Sequence, residues 1–487
     1  MKDHPRVGRE GRVVSSRQSP DRSLKTATSP SLDIPSLFAE RDADRYDLHA
    51  RYLNEQAVRM LETVGFDVGF CEANGQYLYD RDGARYLDLL TGWGVFAIGR
   101  NHPAVRRALK STLDANLPNL VQLDVSPLAG VLAERLLRIV PFCEKVFFAN
   151  SGTETVEAAI KFARIATGRS AIVYCSNGFH GLTYGSLSLN GAQIFRQGFG
   201  PLLPDCFEIP FNDLPALDEA LSTRQVAAFV VEPIQGFGAY VPDDAYLQGA
   251  HELCRKYGTL LVADEVQTGL GRTGRFLATE HWGIEPDIVL LAKPLSGGYV
   301  PIGAVLTRKW IFDKVFNRMG VVVHGSSYAK NDLAMTAALA TLEVIESERL
   351  IDNAARTGVR LLAAFKAMAQ KYELVKEARG KGLLIGIEFC PPRSESLEQS
   401  WNFLDRIKKG LFSQFITIKL FKEQKILSQV AGNGSLTIRI LPSMTISEDD
   451  CDWIERSFET VIAESHQTEV LLSLGKKLIT QAQKARR

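Results

Sequence analysis

Lys293 ends the apolar run of Asp287-Ile-Val-Leu-Leu-Ala-Lys293-Pro-Leu-Ser-Gly-Gly298. A strand therefore delivers a primary amine to its buried end, just ahead of a glycine turn. A buried ammonium is costly, so such a lysine is deprotonated, paired or used covalently. The chemistry open to it is an imine with a carbonyl group. The plain alternative is a lysine whose stem reaches back to water. Asp264 stands in the same situation in Thr259-Leu-Leu-Val-Ala-Asp264-Glu-Val-Gln267-Thr-Gly269. Alone it would cap a turn; beside the lysine it has a second use.

A pyridine aldehyde such as pyridoxal 5'-phosphate needs a carboxylate beside its protonated ring nitrogen and an amine at its carbonyl. Asp264 and Lys293, at the ends of consecutive buried strands, supply both. Its phosphate needs an anion site. Phe148-Ala-Asn150-Ser151-Gly152-Thr153-Glu154 leads from a strand through a glycine into a helix, whose first N–H groups and dipole suit an anion. Ser151 and Glu154 also have capping-box spacing, which needs no ligand. A second hydroxyl pair, Ser326-Ser327, follows Gly325. In Gly178-Phe179-His180-Gly181, Phe179 could stack on a flat heterocycle and His180 could donate a hydrogen bond behind it, or both could be core.

These residues need a scaffold that brings strand ends together. Val146-Phe-Phe-Ala, Ala171-Ile-Val-Tyr, Ala227-Ala-Phe-Val-Val, Leu260-Leu-Val-Ala and Ile288-Val-Leu-Leu are short apolar runs, most of them separated by helical segments. They predict an α/β protein with a large, mostly parallel sheet covered on both faces, where ligands collect at the carboxyl ends of the strands. A smaller α/β domain follows from about residue 340. The expected organisation is a disordered tail over 1–45 and the N-terminal part of the small domain over 46–95. A large domain over 96–345, the C-terminal small domain over 346–465 and a helical tail over 466–487 complete it.

The 487 residues are 45% hydrophobic and carry a formal net charge of +1, which speaks against nucleic acid or an acidic membrane as the main partner. No apolar run approaches the roughly 18 residues that cross a bilayer. The seven cysteines are scattered without a Cys-x-x-Cys pair, so reduced thiols in a cytoplasmic protein are expected rather than disulfides or a metal site. The Ser-, Pro- and Arg-rich start lacks the hydrophobic stretch of a signal peptide.

Asn-Ser-Gly-Thr-Glu, Glu-Pro-Ile-Gln-Gly, Asp-Glu-Val-Gln-Thr-Gly and Lys-x-Leu-Ser-Gly-Gly occur in this order, and the chain from about 50 to 465 resembles the class III pyridoxal-phosphate aminotransferases. These include ornithine, acetylornithine, 4-aminobutyrate and putrescine aminotransferases. The resemblance implies fold type I, pyridoxal 5'-phosphate and a ping-pong transfer of nitrogen from an amine to a keto acid, 2-oxoglutarate. It gives Lys293 the cofactor imine and the proton shuttle, and sets Asp264 on the ring nitrogen and Gln267 near the ring hydroxyl. Ser151, Gly152 and Thr153 would take the phosphate, Phe179 the ring face, and His180 and Glu232 places around the cofactor. Ser327 would reach the phosphate of a neighbouring subunit, implying a homodimer or larger with interfacial sites. Trp93, Glu232 and Arg439 would line the substrate pocket, Arg439 gripping an α-carboxylate that a Glu232–Arg439 pair could otherwise mask.

The chain departs from the family pattern at Pro294, at Ala329–Asp332 and at Phe237. With Trp93, these predict a large apolar pocket on the amine side. The stretch 77–88, the Gly-Lys-Gly of 380–382 and the Arg439 strand resemble diamine-type members most, so an ω-amine or diamine donor is expected. An amino-acid donor such as acetylornithine, ornithine or 4-aminobutyrate is the alternative. An aminomutase or decarboxylase working through the same cofactor, and a non-catalytic binding protein of this fold, are the readings from other classes.

Overall fold

The computed structural model describes residues 32–121, 124–317, 323–432 and 435–467. The chain forms two compact units that divide between Val58 and Arg59. The first is helical from Ile34. Ile34–Arg41 form a helix inside the stretch expected to be a disordered tail, because Asp33 accepts the Ser36 N–H and Pro35 sits in the first turn, where its missing N–H is no loss. Asp42–Asp44 continue as a 3-10 turn, while residues 1–31 of that expected tail lie outside the described residues, as does the expected C-terminal helical tail from 468 onward.

The second unit is built on a seven-stranded sheet. Its strands are β1 (Lys145–Ala149), β2 (Ala171–Cys175), β3 (Cys206–Ile209), β4 (Val226–Val231), β5 (Leu260–Asp264), β6 (Ile288–Leu291) and β7 (Gly303–Thr307). They lie in the order β1-β7-β6-β5-β4-β2-β3, with β7 antiparallel to both its neighbours and the run from β6 to β3 parallel. Alternate side chains go to opposite faces. Val230, Val262 and Leu290 pack with Val156, Ile160 and Phe162 of the helix Gly152–Thr167, while Phe229 and Leu261 pack with Leu217 and Leu247 of the helices Leu214–Ser222 and Tyr246–Tyr257. Each such side chain contributes about 1.5–3 kcal/mol by leaving water. A sheet wetted on neither face can be built only from runs as apolar as these.

Two four-stranded sheets complete the unit. Phe70–Asn74, Tyr77–Asp80 and Arg85–Asp88 form a meander, to which Ile426–Leu427 adds a parallel fourth strand. Val375–Lys381, Leu384–Phe389, Thr437–Ile440 and Gln429–Val430 form the other, antiparallel throughout, and Arg439 lies in an inner strand between Gly386 and Gln429.

The carboxyl ends of β1, β2, β4, β5 and β6 lead into Asn150–Thr153, Gly178–His180, Glu232, Asp264 and Lys293 respectively. The parallel order thus collects the residues singled out by chemistry at one edge of the sheet.

Candidate active site

Lys293 lies two residues beyond β6 and opens a short 3-10 turn, Lys293–Ser296. Pro294 disfavours a right-handed helical conformation at Lys293. The chain turns there with φ at +36°, a strain of about 1–3 kcal/mol for a side-chain-bearing residue. Burial pushes the Lys293 amine down to about 8, against the charges of Asp264 and Glu232, with Arg439 pushing the same way. The amine therefore becomes neutral as pH rises through about 8 rather than near 10.5. Uptake of pyridoxal phosphate by the cofactor-free chain should climb about tenfold per pH unit below 8 and level off above it. Stopped-flow absorbance across pH 6–11 checks this, and a rise that continues to pH 10 contradicts it.

Asp264 closes β5 with 4% of its surface exposed. His180 Nδ1 donates to its Oδ2 at 2.7 Å, and the Val266 N–H donates to Oδ1 at 3.1 Å. Burial would push the His180 imidazole down, but the hydrogen bond and charge of Asp264, with Glu232, outweigh it and raise it above its ordinary value. His180 is itself clamped. Its N–H donates to Asn190 Oδ1 at 2.7 Å, and Asn190 Nδ2 donates to the Gly181 carbonyl at 2.7 Å. Asn190 is fully buried and has no motif to announce it; only the folding of its segment over the β2 turn gives it this task.

Glu232 is one residue past β4 and 6% exposed. The Phe179 N–H donates to its Oε1 at 2.9 Å and the Gly236 N–H to its Oε2 at 2.8 Å. Burial raises this carboxyl, opposed by His180 and by those two N–H groups. Arg439, 7% exposed, donates to the Gly236 carbonyl and, at 3.4 Å, to Gln267 Oε1. Gln267 Nε2 donates to the Trp93 carbonyl at 3.0 Å. Glu232 and Arg439 thus meet through the two sides of Gly236 rather than as a direct ion pair. Burial pushes Arg439 down to about 10 while Glu232 resists. The guanidinium hydrogen-bonds two neutral acceptors, so its charge awaits a partner.

The helix after β1 is capped by Ser151, whose hydroxyl accepts the Glu154 N–H at 3.3 Å. Glu154 does not close the expected box. Its carboxylate turns back to the Asn150 N–H at 2.9 Å and to Asn150 Nδ2 at 3.0 Å. Gly152 is required by proximity: a Cβ there would stand 2.8 Å from Val266 Cγ1. The helix start thereby abuts the segment after Asp264. The Thr153 hydroxyl is turned away, bonded to Thr183 at 2.8 Å and to Ser186 at 2.6 Å, which leaves its N–H and that of Gly152 as anion donors.

Trp93 is 56% exposed; its ring N–H donates to Gln429 Oε1 at 2.7 Å. Thr91, Gly92 and Trp93 all have positive φ, a strained turn that presents the Trp93 carbonyl to Gln267. Ser327 is exposed, and its neighbour Ser326 accepts from Asn150 Nδ2 at 2.6 Å. Lys293, Asp264, His180, Glu232, Gln267, Arg439 and Phe179 thus belong to one connected cluster, with Gly152 alongside; Ser327 is not part of it. Glu265, beside Asp264, staples the loop instead. It accepts from the Ala278 and Thr279 N–H groups at 3.0 and 2.9 Å, and burial lifts its carboxyl to about 6.

The residues present fit pyridoxal phosphate. Lys293 offers a buried amine, Asp264 a carboxylate oriented by His180, the Gly152 helix start an anion cradle packed against the segment after Asp264, and Phe179 a half-buried ring.

The family model described as aminotransferase class-III matches residues 63–462. An aminotransferase PigE from a Serratia species is 37% identical over 467 residues, 88% of this chain and 55% of that relative. The chain therefore spans about half the length of the curated relative it matches. The ornithine aminotransferase of Toxoplasma gondii, in a structure with partial pyridoxal-phosphate occupancy, has a TM-score of 0.73 at 32% identity, covering 82% of this chain and 92% of its own. An amine transaminase from an uncultivated Pseudomonas species, in its pyridoxal-phosphate-bound form, gives 0.70 at 30%, covering 81% and 94%.

Proposed function

The chain belongs to the class-III aminotransferases, pyridoxal-phosphate enzymes of fold type I, and we propose that it moves an amino group from an ω-amine to 2-oxoglutarate. The observation that carries the choice of acceptor is Arg439, a buried guanidinium whose hydrogen-bond partners, Gly236 and Gln267, are uncharged. A planar guanidinium takes a carboxylate through two parallel hydrogen bonds, which suits a keto acid.

Bound pyridoxal phosphate supplies a carbonyl for the substrate nitrogen and a ring that withdraws electrons from the adjacent carbon. The chain's own residues do the rest. Lys293 Nζ, neutral above about pH 8, would accept the proton from the donor carbon in the first half-reaction and deliver one to the acceptor carbon in the second. Asp264, held by His180 Nδ1 and the Val266 N–H, keeps a carboxylate against a protonated ring nitrogen. The N–H groups of Gly152 and Thr153, with the Ser151-capped helix, hold the phosphate. Glu232, restrained by two N–H groups, fixes the Phe179 turn against the opposite segment.

The same reading makes the protein a cytoplasmic homodimer in which Ser327 reaches the phosphate bound by its neighbour. The exposure of Ser327 and the seven free cysteines support it. No helix among the described residues is long and apolar enough to cross a membrane.

Replacing Arg439 by alanine removes a charged hydrogen-bonding partner for the keto acid, a loss of about 2–4 kcal/mol, or roughly 30- to 1000-fold in kcat/KM for 2-oxoglutarate. The loss in kcat/KM for a donor without a carboxylate should stay below about tenfold. Steady-state kinetics of both half-reactions test this, and equal losses reject the assignment.

A further inference from the structure

Three half-buried phenyl rings stand at the edge of this cluster. Phe179 is tied to Glu232 through its N–H, and Phe237 follows Gly236, the residue that joins Glu232 to Arg439. Phe195 arrives from the short helix Gln193–Arg196, in a segment with no chemical signal in the sequence. The Phe179–Phe195, Phe195–Phe237 and Phe179–Phe237 centroids lie 5.2, 5.7 and 6.4 Å apart. Phe179 and Phe237 are within 13° of parallel, while Phe195 meets them edge-on at 70° and 83°. A Cβ on Gly432 would stand 2.5 Å from Phe237 Cε1, so the Phe237 ring is wedged against that loop.

Rings in mutual contact leave no opening between their faces for a hydrated cation, which would need those faces turned toward it. What they present is hydrocarbon. Four carboxylates of the cluster and of the strands beside the Phe237 turn are engaged. Glu232 binds two N–H groups, Asp264 binds His180, and Glu377 and Glu388 pair with Arg379, whose Nε donates to the carbonyl of Gly238 in the Phe237 turn at 3.0 Å. A second ammonium on the donor would therefore lose its water and meet no free anion among these four, with the buried Arg439 guanidinium close by.

We propose that Phe195 and Phe237, packed beside the cofactor-facing Phe179, form the wall for the donor's chain and select a primary monoamine with a hydrocarbon tail over a diamine of the same length. The proposal rests on the transamination reading and narrows its donor class.

The test uses the holoenzyme with 2-oxoglutarate and three donors: n-butylamine, n-hexylamine and 1,6-diaminohexane. The hexylamine should exceed the diamine by at least about tenfold in kcat/KM, and each methylene from butyl to hexyl should add about two- to fourfold. Cofactor absorbance on adding each amine without acceptor reads the donor half-reaction apart from the acceptor's, and the same order is expected there. Phe237→Leu, which keeps an apolar side chain, should preserve the sign of the preference and shrink it several-fold; Phe237→Glu, which supplies an anion, should reverse it. A wild-type enzyme that takes the diamine as well as the hexylamine overturns the proposal alone. Turnover of none of the amines with any keto acid defeats the ω-amine reading with it.

Discussion

Lys293→Ala is expected to lower turnover by at least about 10⁴-fold, because the residue is both the nucleophile that holds the cofactor and the base that moves the proton. Loss of folding would mimic this, but the structure separates the two. Lys293 has an amine that burial pushes down to about 8, and an amine whose folded pKa lies below its unfolded value of 10.5 costs stability while it is protonated, below about pH 8. In the cofactor-free protein, removing it should leave thermal stability at pH 7 unchanged or raised, even though the positive φ stays strained for alanine. Added primary amines should restore a fraction of the proton transfer, since they replace the base but not its position. A variant that keeps more than about one per cent of wild-type turnover contradicts the assignment.

Asp264→Asn is expected to cost about 10²- to 10³-fold in kcat, the range found when a pre-oriented charge is removed from a buried site. The variant also has a signature that a merely structural residue would lack. Asp264 is the main reason the His180 imidazole lies above its ordinary value, against burial. With the charge gone, burial wins and His180 falls below that value, which the titration of its ring protons by NMR reads directly. A raised histidine contributes stability that is fully present below its unfolded value and lost as pH rises through the folded one. The wild type should therefore show that acid-side stabilisation and Asp264→Asn should not. Unchanged His180 titration would mean that Asp264 is not the controlling charge.

The chemistry of the site was legible wherever an apolar run ended in a charge. Asp264 ends a strand of wholly buried residues, and Glu232 and Lys293 each follow one, so their identity and their place at the sheet edge come from one pattern. Parallel order was legible in the same runs, but β7 was not. Gly303–Thr307 is as apolar as its neighbours, and hydrophobicity carries no direction, so its antiparallel course is set only by the connection from Lys293 to Pro301. Asn190 and Phe195 were invisible for a different reason. They reach the site by a segment folding across it, and nothing in their own neighbourhood distinguishes them from surface loop. Glu154 shows local spacing misleading in detail: its carboxylate, spaced to close a capping box with Ser151, goes to Asn150 instead, and the Thr153 hydroxyl beside it is taken by Ser186. A Glu232–Arg439 pair was read as a mask for the guanidinium when a donor without an α-carboxylate binds; in the structure backbone N–H groups hold the carboxylate, because two neutral donors satisfy it with little further desolvation.

The claim on which all of this depends is that Lys293, among all the lysines, carries the cofactor. Reduction of the holoenzyme with borohydride, digestion and peptide mass mapping tests it in one step. The cofactor-derived mass should sit on the peptide containing Lys293 and be absent from that peptide in unreduced protein. A label on another lysine, or on none, contradicts it.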